Sequence, residues 1–517
     1  MRNIRIDSLP QNRHLASKDC RLCNKRRIKC DRSFPQCKKC VIRGLHCPGF
    51  DGVQLRWSHK YSTGRQRGKQ KVPAQHRHAL DQDPCVSGIA FHDDIGDTSH
   101  HVGQEAHVLH PATDYHITQS YVSDSFSRSL MSYFHTKVVS RLTWLDSLDN
   151  PWRKVVLPHV QQSSCLRLSI LNLAATHLSV TFEGDAPKIV AIREASCHLR
   201  HVTLQVLNKE ISRELNQSNP KTNTAMQKHG SGLCHILASA LALCYGEMLV
   251  PQSTDWNIHF RACRTIIDKF NLRKWIESQD PVLRFMVKEV EDLEVWGNLA
   301  SFTKGQHAVT KMCTQPRTGS RFWAFTDLIG DITLVERRQY QMEREGNKTP
   351  NVDIGSWKAK ADEVYTQVST STDFASPYDV AMRQLFDPVI RTHYYACLIY
   401  IHQALAPRSE GSNDIGFLLT RLFNEIRSIA AGSVHAFSHD IFFPLFIAGT
   451  EIHGRMEMQN IIKATFCKLI SATGVWCNNT ALHFLHTFWK NTEHHGTRNW
   501  IQYARDNESE IGPLLVF

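Results

Sequence analysis

Nowhere in this 517-residue chain does an apolar run reach about 18 residues, the least a membrane-crossing helix needs. The nearest stretch, Leu233 to Val250, is broken by His235, Ser239 and Glu247, so no membrane span is expected. Nothing at the N-terminus has the order of charged, apolar and small residues that makes a secretory signal, and an oxidising compartment is therefore not expected. The short signatures of common chemistry are also missing: no H-E-x-x-H, no G-x-S-x-G, no phosphate-binding loop and no dinucleotide fingerprint. No leucine heptad is sustained over three repeats, so no coiled coil is indicated and dimer geometry is left open. These absences point away from a membrane protein, a secreted disulfide scaffold and an enzyme.

What the chain does have is cysteine in a pattern. Six of its 16 cysteines fall between Cys20 and Cys47, as C-x2-C-x6-C followed by a six-residue loop and a second C-x2-C-x6-C. Cys20, Cys23 and Cys30 recur 17 positions later as Cys37, Cys40 and Cys47. A C-x2-C pair lets two thiolates of one turn grip one ion, and Zn²⁺ takes four ligands in a tetrahedron. Six thiolates cannot fill two separate four-coordinate shells, so two sulfurs must be shared, and the repeat suggests one from each half. A single zinc on the two C-x2-C pairs would leave Cys30 and Cys47 unused although their spacing is the same in both halves. The expected cofactor is two Zn²⁺ ions in a binuclear cluster. The remaining cysteines are scattered singly, mostly in apolar segments such as those of Cys234, Cys244 and Cys397, and are expected to be buried free thiols.

Charge is as localised as cysteine. Residues 1–78 carry 20 Lys and Arg against 4 Asp and Glu, a net +16, whereas the rest of the chain has 41 against 45. Between Cys23 and Cys30 the chain reads Asn24-Lys25-Arg26-Arg27-Ile28-Lys29, and between Cys40 and Cys47 it reads Val41-Ile42-Arg43-Gly44-Leu45-His46. The first half of the repeat is built to face a polyanion and the second to pack and support. A strongly basic module joined to a slightly acidic body has the electrostatic footprint of nucleic-acid binding.

These residues resemble the fungal Zn2Cys6 binuclear-cluster transcription regulators. The resemblance rests on the cysteine spacing, the basic run before the third cysteine, Pro35 two residues before the fourth and Pro48 after the last. It implies that Cys20 and Cys37 bridge the metals, and that the first short helix enters the major groove at a CGG-type half-site. The family's usual Arg after the second cysteine is Asn24 here, and Arg27 stands where Lys is commoner. Arg27 is expected to read a base, since Arg can grip guanine O6 and N7 bidentately. Arg26 is expected to support it, with Lys25, Lys29, Arg56 and Lys60 contacting phosphates.

Four regions follow along the chain: a flexible N-terminus (1–17), the Zn2Cys6 DNA-binding domain (18–50), a basic then polar linker (51–120) and an all-α domain (121–517). In the linker, Leu55-Arg56-Trp57 resembles the post-cluster segment of many family members, with Trp57 packing back on the module. The run Arg65 to Lys71 suits nuclear import as well as a solvated linker, and the histidines from His76 to His110 are too irregularly spaced for a metal site. From about Ser125, apolar residues recur at helical spacing: Phe126, Leu130, Tyr133, Phe134, Val138 and Leu142. Further helices are expected over Leu166–Val180, after Pro187, and at 232–249, 255–271, 281–302, 384–405, 415–430, 457–472 and 480–490. Strand-type alternation is nowhere sustained in this body. The polar stretches 216–229 and 343–376 are expected to be loops or disordered inserts, Glu451 and Arg455 a helical i,i+4 ion pair, and Trp256, Trp296, Trp323 and Trp489 core residues. His198/His201 and His483/His486 lie three apart but lack a third ligand. The body also resembles the fungal-specific transcription factor domain, through Tyr133-Phe134, Asn150-Pro151-Trp152-Arg153, Leu171 to Ala175, Trp256 to His259, and Phe443 to Glu451 with Arg455.

The expected fold is therefore a small Zn2Cys6 DNA-binding module plus a large all-α regulatory domain. The expected function is sequence-specific regulation of RNA polymerase II transcription in the nucleus, as an activator, with pathway-specific control of a metabolic or biosynthetic gene set. Its expected partners are double-stranded DNA, the transcription machinery or co-regulators, and a second copy as a homodimer. The alternative is a protein-interaction scaffold or co-regulator whose cluster does not read DNA sequence.

Overall fold

A computed structural model describes most of residues 19–47 and, with short gaps, residues 124–302, 322–406 and 413–516. The chain divides into two units. In the N-terminal unit Leu22 and Cys23 are helical, and a short helix, α1 (Lys38–Val41), is capped by Cys37, which accepts the Cys40 N–H. The unit's buried interior is the six cysteines, with Leu22 and Ile28 packed against them.

The C-terminal unit is helical, with no strand among its described residues. Helix α2 (Asp124–Tyr133) runs on into a wide turn over Phe134–Val138. A second such turn, Trp152–Val156, starts where Asn150 accepts the Trp152 N–H at 3.0 Å. Helix α3 (Ser164–Thr181) is capped by Ser163 and is buried along most of its length, including Asn172, Thr176 and His177. Helices α4 (Ala186–Asn216) and α5 (Asn223–Met248) flank it, and α6 (Trp256–Lys269) packs on α5. After the single turn α7 (Leu272–Trp275), Asp280 caps the start of α8 (Pro281–Asn298) by accepting from Val282 N and Leu283 N at 2.9 and 3.1 Å. Pro281 follows the cap, where its missing N–H costs nothing.

A second group comprises α9 (Trp323–Arg344), α10 (Ile354–Ser369), α11 (Asp379–Leu405) and α12 (Asn413–Ala431), with α11 packed against the other three. Helix α13 (Phe442–Thr450) is buried at every residue, and α11, α12, α14 (Met456–Thr473) and α15 (Asn478–His495) surround it. Phe446 lies 5.6 Å from Phe484 and 5.1 Å from Trp500, which opens α16 (Trp500–Asp506). A Cβ at Gly449 would meet Leu485 Cδ1 at 2.6 Å, so a side chain there would force Leu485 to move. The two helix groups are tied where α14 contacts α3 and where Cys477 N donates to Met248 O at 2.9 Å.

Polar centres lie inside this apolar body, and two of them are distinguished by their partners. In the first, the Tyr245 hydroxyl donates to Glu289 Oε2 at 2.8 Å, both groups being fully buried. In the second, Arg505 donates to Glu336 at 2.6 Å and lies 3.6 Å from the Tyr340 ring centroid and 4.7 Å from that of Phe302. Phe302 N in turn donates to Glu508 Oε1 at 2.7 Å, at the start of α17 (Glu508–Ile511).

Several expectations need correcting. Residues 343–376 are not all loop: they contain α10, whose buried stripe is only Ala361, Val364 and Val368, so its polar face hid the periodicity. Likewise α5 begins at Asn223, inside the stretch read as polar loop, and α9 was not anticipated. Glu451 and Arg455 do not share a helix: Glu451 ends α13, Arg455 precedes α14, and the Glu451 carboxylate accepts from Gln403 Nε2 at 2.6 Å. Trp256, Trp296 and Trp489 are buried, but Trp323 is half-buried with the Lys288 ammonium 5.2 Å from its ring. Of the described scattered cysteines, Cys165, Cys234, Cys244, Cys263, Cys397 and Cys477 are buried free thiols, while Cys197 is exposed and Cys467 half-buried. The expected regions 1–17 and 51–120 lie outside the described residues.

Burial, with the nearby Asp292 carboxylate, pushes Glu289 up to about 8, so the folded protein holds its proton at neutral pH. A raised carboxyl stabilises the fold below its unfolded range and loses that contribution as pH rises toward 8. Glu289→Gln is expected to remove this decline, by up to about 1.4 kcal/mol per pH unit, while still accepting from Tyr245. Urea midpoints of both proteins at pH 6 and pH 8 test it, and an unchanged slope in the variant counts against it.

Candidate metal centre and nucleic-acid interface

All six cysteines of the repeat are buried free thiols. Their sulfurs form two groups of four, Cys20-Cys23-Cys30-Cys37 and Cys20-Cys37-Cys40-Cys47, each with all sulfurs within 4.8 Å of one another. Cys20 and Cys37 belong to both. The Cys20–Cys37 sulfurs are 3.5 Å apart, and the Cys20–Cys40 and Cys23–Cys37 sulfurs 3.7 Å. A disulfide needs about 2.05 Å, whereas sulfurs at 2.3 Å from a shared tetrahedral zinc stand about 3.8 Å apart. The donor set and its spacing therefore fit zinc.

The electrostatics lead the same way. Burial pushes the Cys23, Cys37 and Cys40 thiols above their ordinary range. Burial also opposes ionisation of Cys20, but the Cys23 N–H and the neighbouring thiols bring it down to about 7. Ionising six crowded sulfurs requires compensating positive charge, which a divalent metal supplies on binding. Backbone N–H groups reinforce the sulfurs: Cys23 N points to Cys20 at 3.4 Å, Arg32 N to Cys30 at 3.4 Å, and Cys37 N to Cys47 at 3.3 Å.

Two aspartates hold the loops in place. Asp31, next to Cys30, accepts from Lys38 N and Lys39 N at 3.2 Å each and from Ser33 Oγ at 2.5 Å, tying the first half of the repeat to the start of α1. Burial opposes its charge, yet these donors together draw its carboxyl below the usual range. Asp19, next to Cys20, accepts from Arg32 Nε at 2.6 Å and Cys30 N at 3.1 Å, and the Arg32 guanidinium first and the Cys30 N–H second lower its pKa. Sequence reasoning missed both. Their signal was available, as they are two of only four acids in residues 1–78 and each adjoins a cysteine.

The basic run is partly described. Arg27 and Lys29 are exposed, and Arg27 sits in the left-handed region at φ +53°, directing the chain sharply after the Leu22–Arg26 turn. Lys29 O accepts from the Lys39 ammonium at 2.7 Å, so α1 braces the basic loop. Arg26 is half-buried, with Nη1 fully enclosed and without a hydrogen-bond partner, which sets it apart from the freely exposed Arg27. Lys25, Arg56 and Lys60 lie outside the described residues, as do Asn24, Pro35, Pro48 and Trp57. In the body, His201 and His483 are exposed and His198 and His486 half-buried. Among the described residues, the cysteines make up every group of three or more side chains close enough to hold one metal ion. No helix among them is long and apolar enough to cross a membrane.

Comparison with known proteins agrees with both units. Residues 18–56 match the fungal Zn(2)-Cys(6) binuclear cluster domain, and residues 129–511 match the fungal specific transcription factor domain. The chain belongs to this transcription factor family. Its N-terminal unit is a zinc-cluster domain, and both matched families are transcription-factor domains rather than enzymes. The acriflavine sensitivity control protein acr-2 of Neurospora crassa is 45% identical over 42 residues, which is 8% of this chain and 7% of that protein. No solved structure matches.

Cys37→Ala is expected to remove a sulfur common to both groups and unfold the module, whereas Asp31→Ala is expected to leave it folded but weaken it by about 1 kcal/mol, the usual worth of a helix cap. Zinc release to a colorimetric chelator measures both: complete release for Cys37→Ala, and release at several-fold lower chelator for Asp31→Ala. Wild-type retention in the Cys37 variant contradicts the shared-sulfur geometry.

Proposed function

We propose that this chain is a nuclear, sequence-specific DNA-binding regulator of RNA polymerase II transcription whose DNA contacts come from the zinc-cluster unit. The observation that carries the reading is the pair of four-sulfur groups sharing Cys20 and Cys37, with a basic loop braced beside them. Cys20, Cys23, Cys30, Cys37, Cys40 and Cys47 hold two Zn²⁺ ions, which replace a hydrophobic core in a unit too small to have one. The metals are structural: every proposed ligand position is a protein sulfur, so no open site is left for a reacting water.

Arg27 reads a guanine of a CGG-type half-site, a role supported by its exposure and by the turn that carries it. Lys25, Lys29, Arg56 and Lys60 contact phosphates, which fix register without carrying sequence information. Arg26, enclosed at Nη1, supports this surface from behind. The helical body regulates the outcome and recruits the transcription machinery or co-regulators, acting as an activator of a metabolic or biosynthetic gene set, with the chain working as a homodimer.

Random-duplex selection with the full chain, with and without a zinc chelator, tests the reading. Enrichment of CGG-type triplets that disappears on chelation is expected, and triplet spacing reports the oligomer. Enrichment of no sequence by zinc-loaded protein contradicts it and favours a scaffold whose cluster does not read DNA. Arg27→Ala is expected to keep its zinc yet lose about 1–3 kcal/mol of discrimination at one base pair. Lys29→Ala is expected to weaken all sequences alike and reduce the salt slope by about one phosphate. Titrations at several salt concentrations separate the two effects.

A further inference from the structure

One peptide unit of the basic loop is held at both ends. The Lys29 carbonyl accepts from the Lys39 ammonium at 2.7 Å, and the N–H of the next residue, Cys30, donates to Asp19 Oδ2 at 3.1 Å. Both groups belong to the same peptide plane, which is rigid. With a cation on its oxygen and an anion on its hydrogen, that plane cannot turn without breaking a charge-assisted hydrogen bond. The two jaws are themselves anchored. Lys39 N donates to Asp31 Oδ1 at 3.2 Å in the first turn of α1, and the other oxygen of Asp19 accepts from Arg32 Nε at 2.6 Å.

The backbone on either side needs such restraint. Arg27, two residues before Lys29, lies at φ +53°, and Arg32, two residues after Cys30, at φ +55°. Residues other than glycine persist in the left-handed region where their surroundings over-determine them. Ile28 N also donates to Cys23 O at 3.0 Å, so the loop is pinned just beyond Arg27 and again at its exit. Lys39 lies outside the basic run, in the half of the repeat read as packing and supporting, and its charge is directed at the loop. The two exposed cations of that loop differ in what they ask of the backbone. A guanidinium gripping a base edge is planar and bidentate and tolerates little displacement, whereas the flexible stem of Lys29 reaches a phosphate from many backbone positions. Restraint therefore matters more to Arg27.

We propose that Lys39 is a positioning residue for sequence reading: its ammonium holds the Lys29 carbonyl rather than a phosphate and, with Asp19, fixes the backbone from which Arg27 reaches a base. The proposal deepens the DNA-binding reading given above and rests on it.

Two variants of the full chain test it. Lys39→Met removes the ammonium and keeps an unbranched stem, and Lys39→Arg keeps a cationic donor. Zinc content is measured on each. Affinity for the duplex that the wild type selects, and for its single-base variants, is then titrated at several salt concentrations. Zinc-loaded Lys39→Met is expected to lose about tenfold of the preference for the selected duplex, within the worth of one bidentate base contact, with an unchanged salt slope. Lys39→Arg is expected to restore most of that preference. Wild-type preference in zinc-loaded Lys39→Met overturns the proposal, as does lost preference that Lys39→Arg fails to restore. A salt slope lower by about one phosphate makes Lys39 a phosphate contact and overturns it as well. Loss of zinc from Lys39→Met overturns it in favour of a purely structural lysine. Zinc-loaded wild type that selects no sequence overturns the DNA reading itself, and the proposal with it, so the two failures are told apart.

Discussion

Six sulfurs crowded into one dry space are the constraint on which the N-terminal unit depends. Buried thiols resist ionisation, and among the described residues of the unit only Leu22 and Ile28 pack against them. Metal binding resolves both problems at once, since the charge that makes thiolates acceptable also ties together loops far apart in sequence. The sharing of Cys20 and Cys37 makes the halves interdependent, because neither four-sulfur group is complete without a sulfur from the other half. Around this centre the protein adds inexpensive reinforcements: N–H groups aimed at sulfur, and two aspartates that fasten α1 and the Cys30 loop.

The C-terminal unit meets the opposite problem. It has apolar surface in abundance and must bury it without burying unpaired charge. It does so in part by pairing buried charges with specific partners. Tyr245 serves Glu289, Arg505 serves Glu336, and Arg200 spans Glu247 at 2.5 Å and Asp255 at 3.1 Å. His259 and His393, fully buried, are held down to about 3 by desolvation and remain neutral. Neutral imidazoles and a protonated Glu289 behave as polar core residues.

Much of this was legible in the sequence, because metal ligation and helical burial both leave periodic marks. Spacing announced the paired cysteine groups with one sulfur of each half shared, the family resemblance named Cys20 and Cys37 as those two, and the repeat of Phe126, Leu130, Phe134 and Val138 announced the first helix of the body. The failures have a common cause. Helix α10 buries only a narrow stripe at Ala361, Val364 and Val368, so its composition reads as loop. Glu451 and Arg455 have helical spacing but straddle a turn that their spacing does not reveal. Asp31 acts in part through the Lys38 and Lys39 N–H groups and Asp19 in part through the Cys30 N–H, donors that carry no residue label. Spacing signals a partner only when that partner is itself a side chain in the pattern.

The Arg505 centre has a consequence for how the chain is made. Its members are far apart in sequence: Phe302 with Glu508, and Glu336 with Arg505. A polypeptide emerging from the ribosome exposes Phe302 and the Glu336 carboxylate before Arg505 and Glu508 exist, with Arg337 beside both. Helices α3 to α6 can pair as they appear, being neighbours along the chain, and α8 packs on α9, but the contacts of Arg505 and Glu508 with this region form only once the last described helices have left the exit tunnel. Until then Phe302 and Glu336 have Arg337 but lack the Arg505 guanidinium and the Glu508 carboxylate that complete the centre, which gives a chaperone reason to hold this stretch.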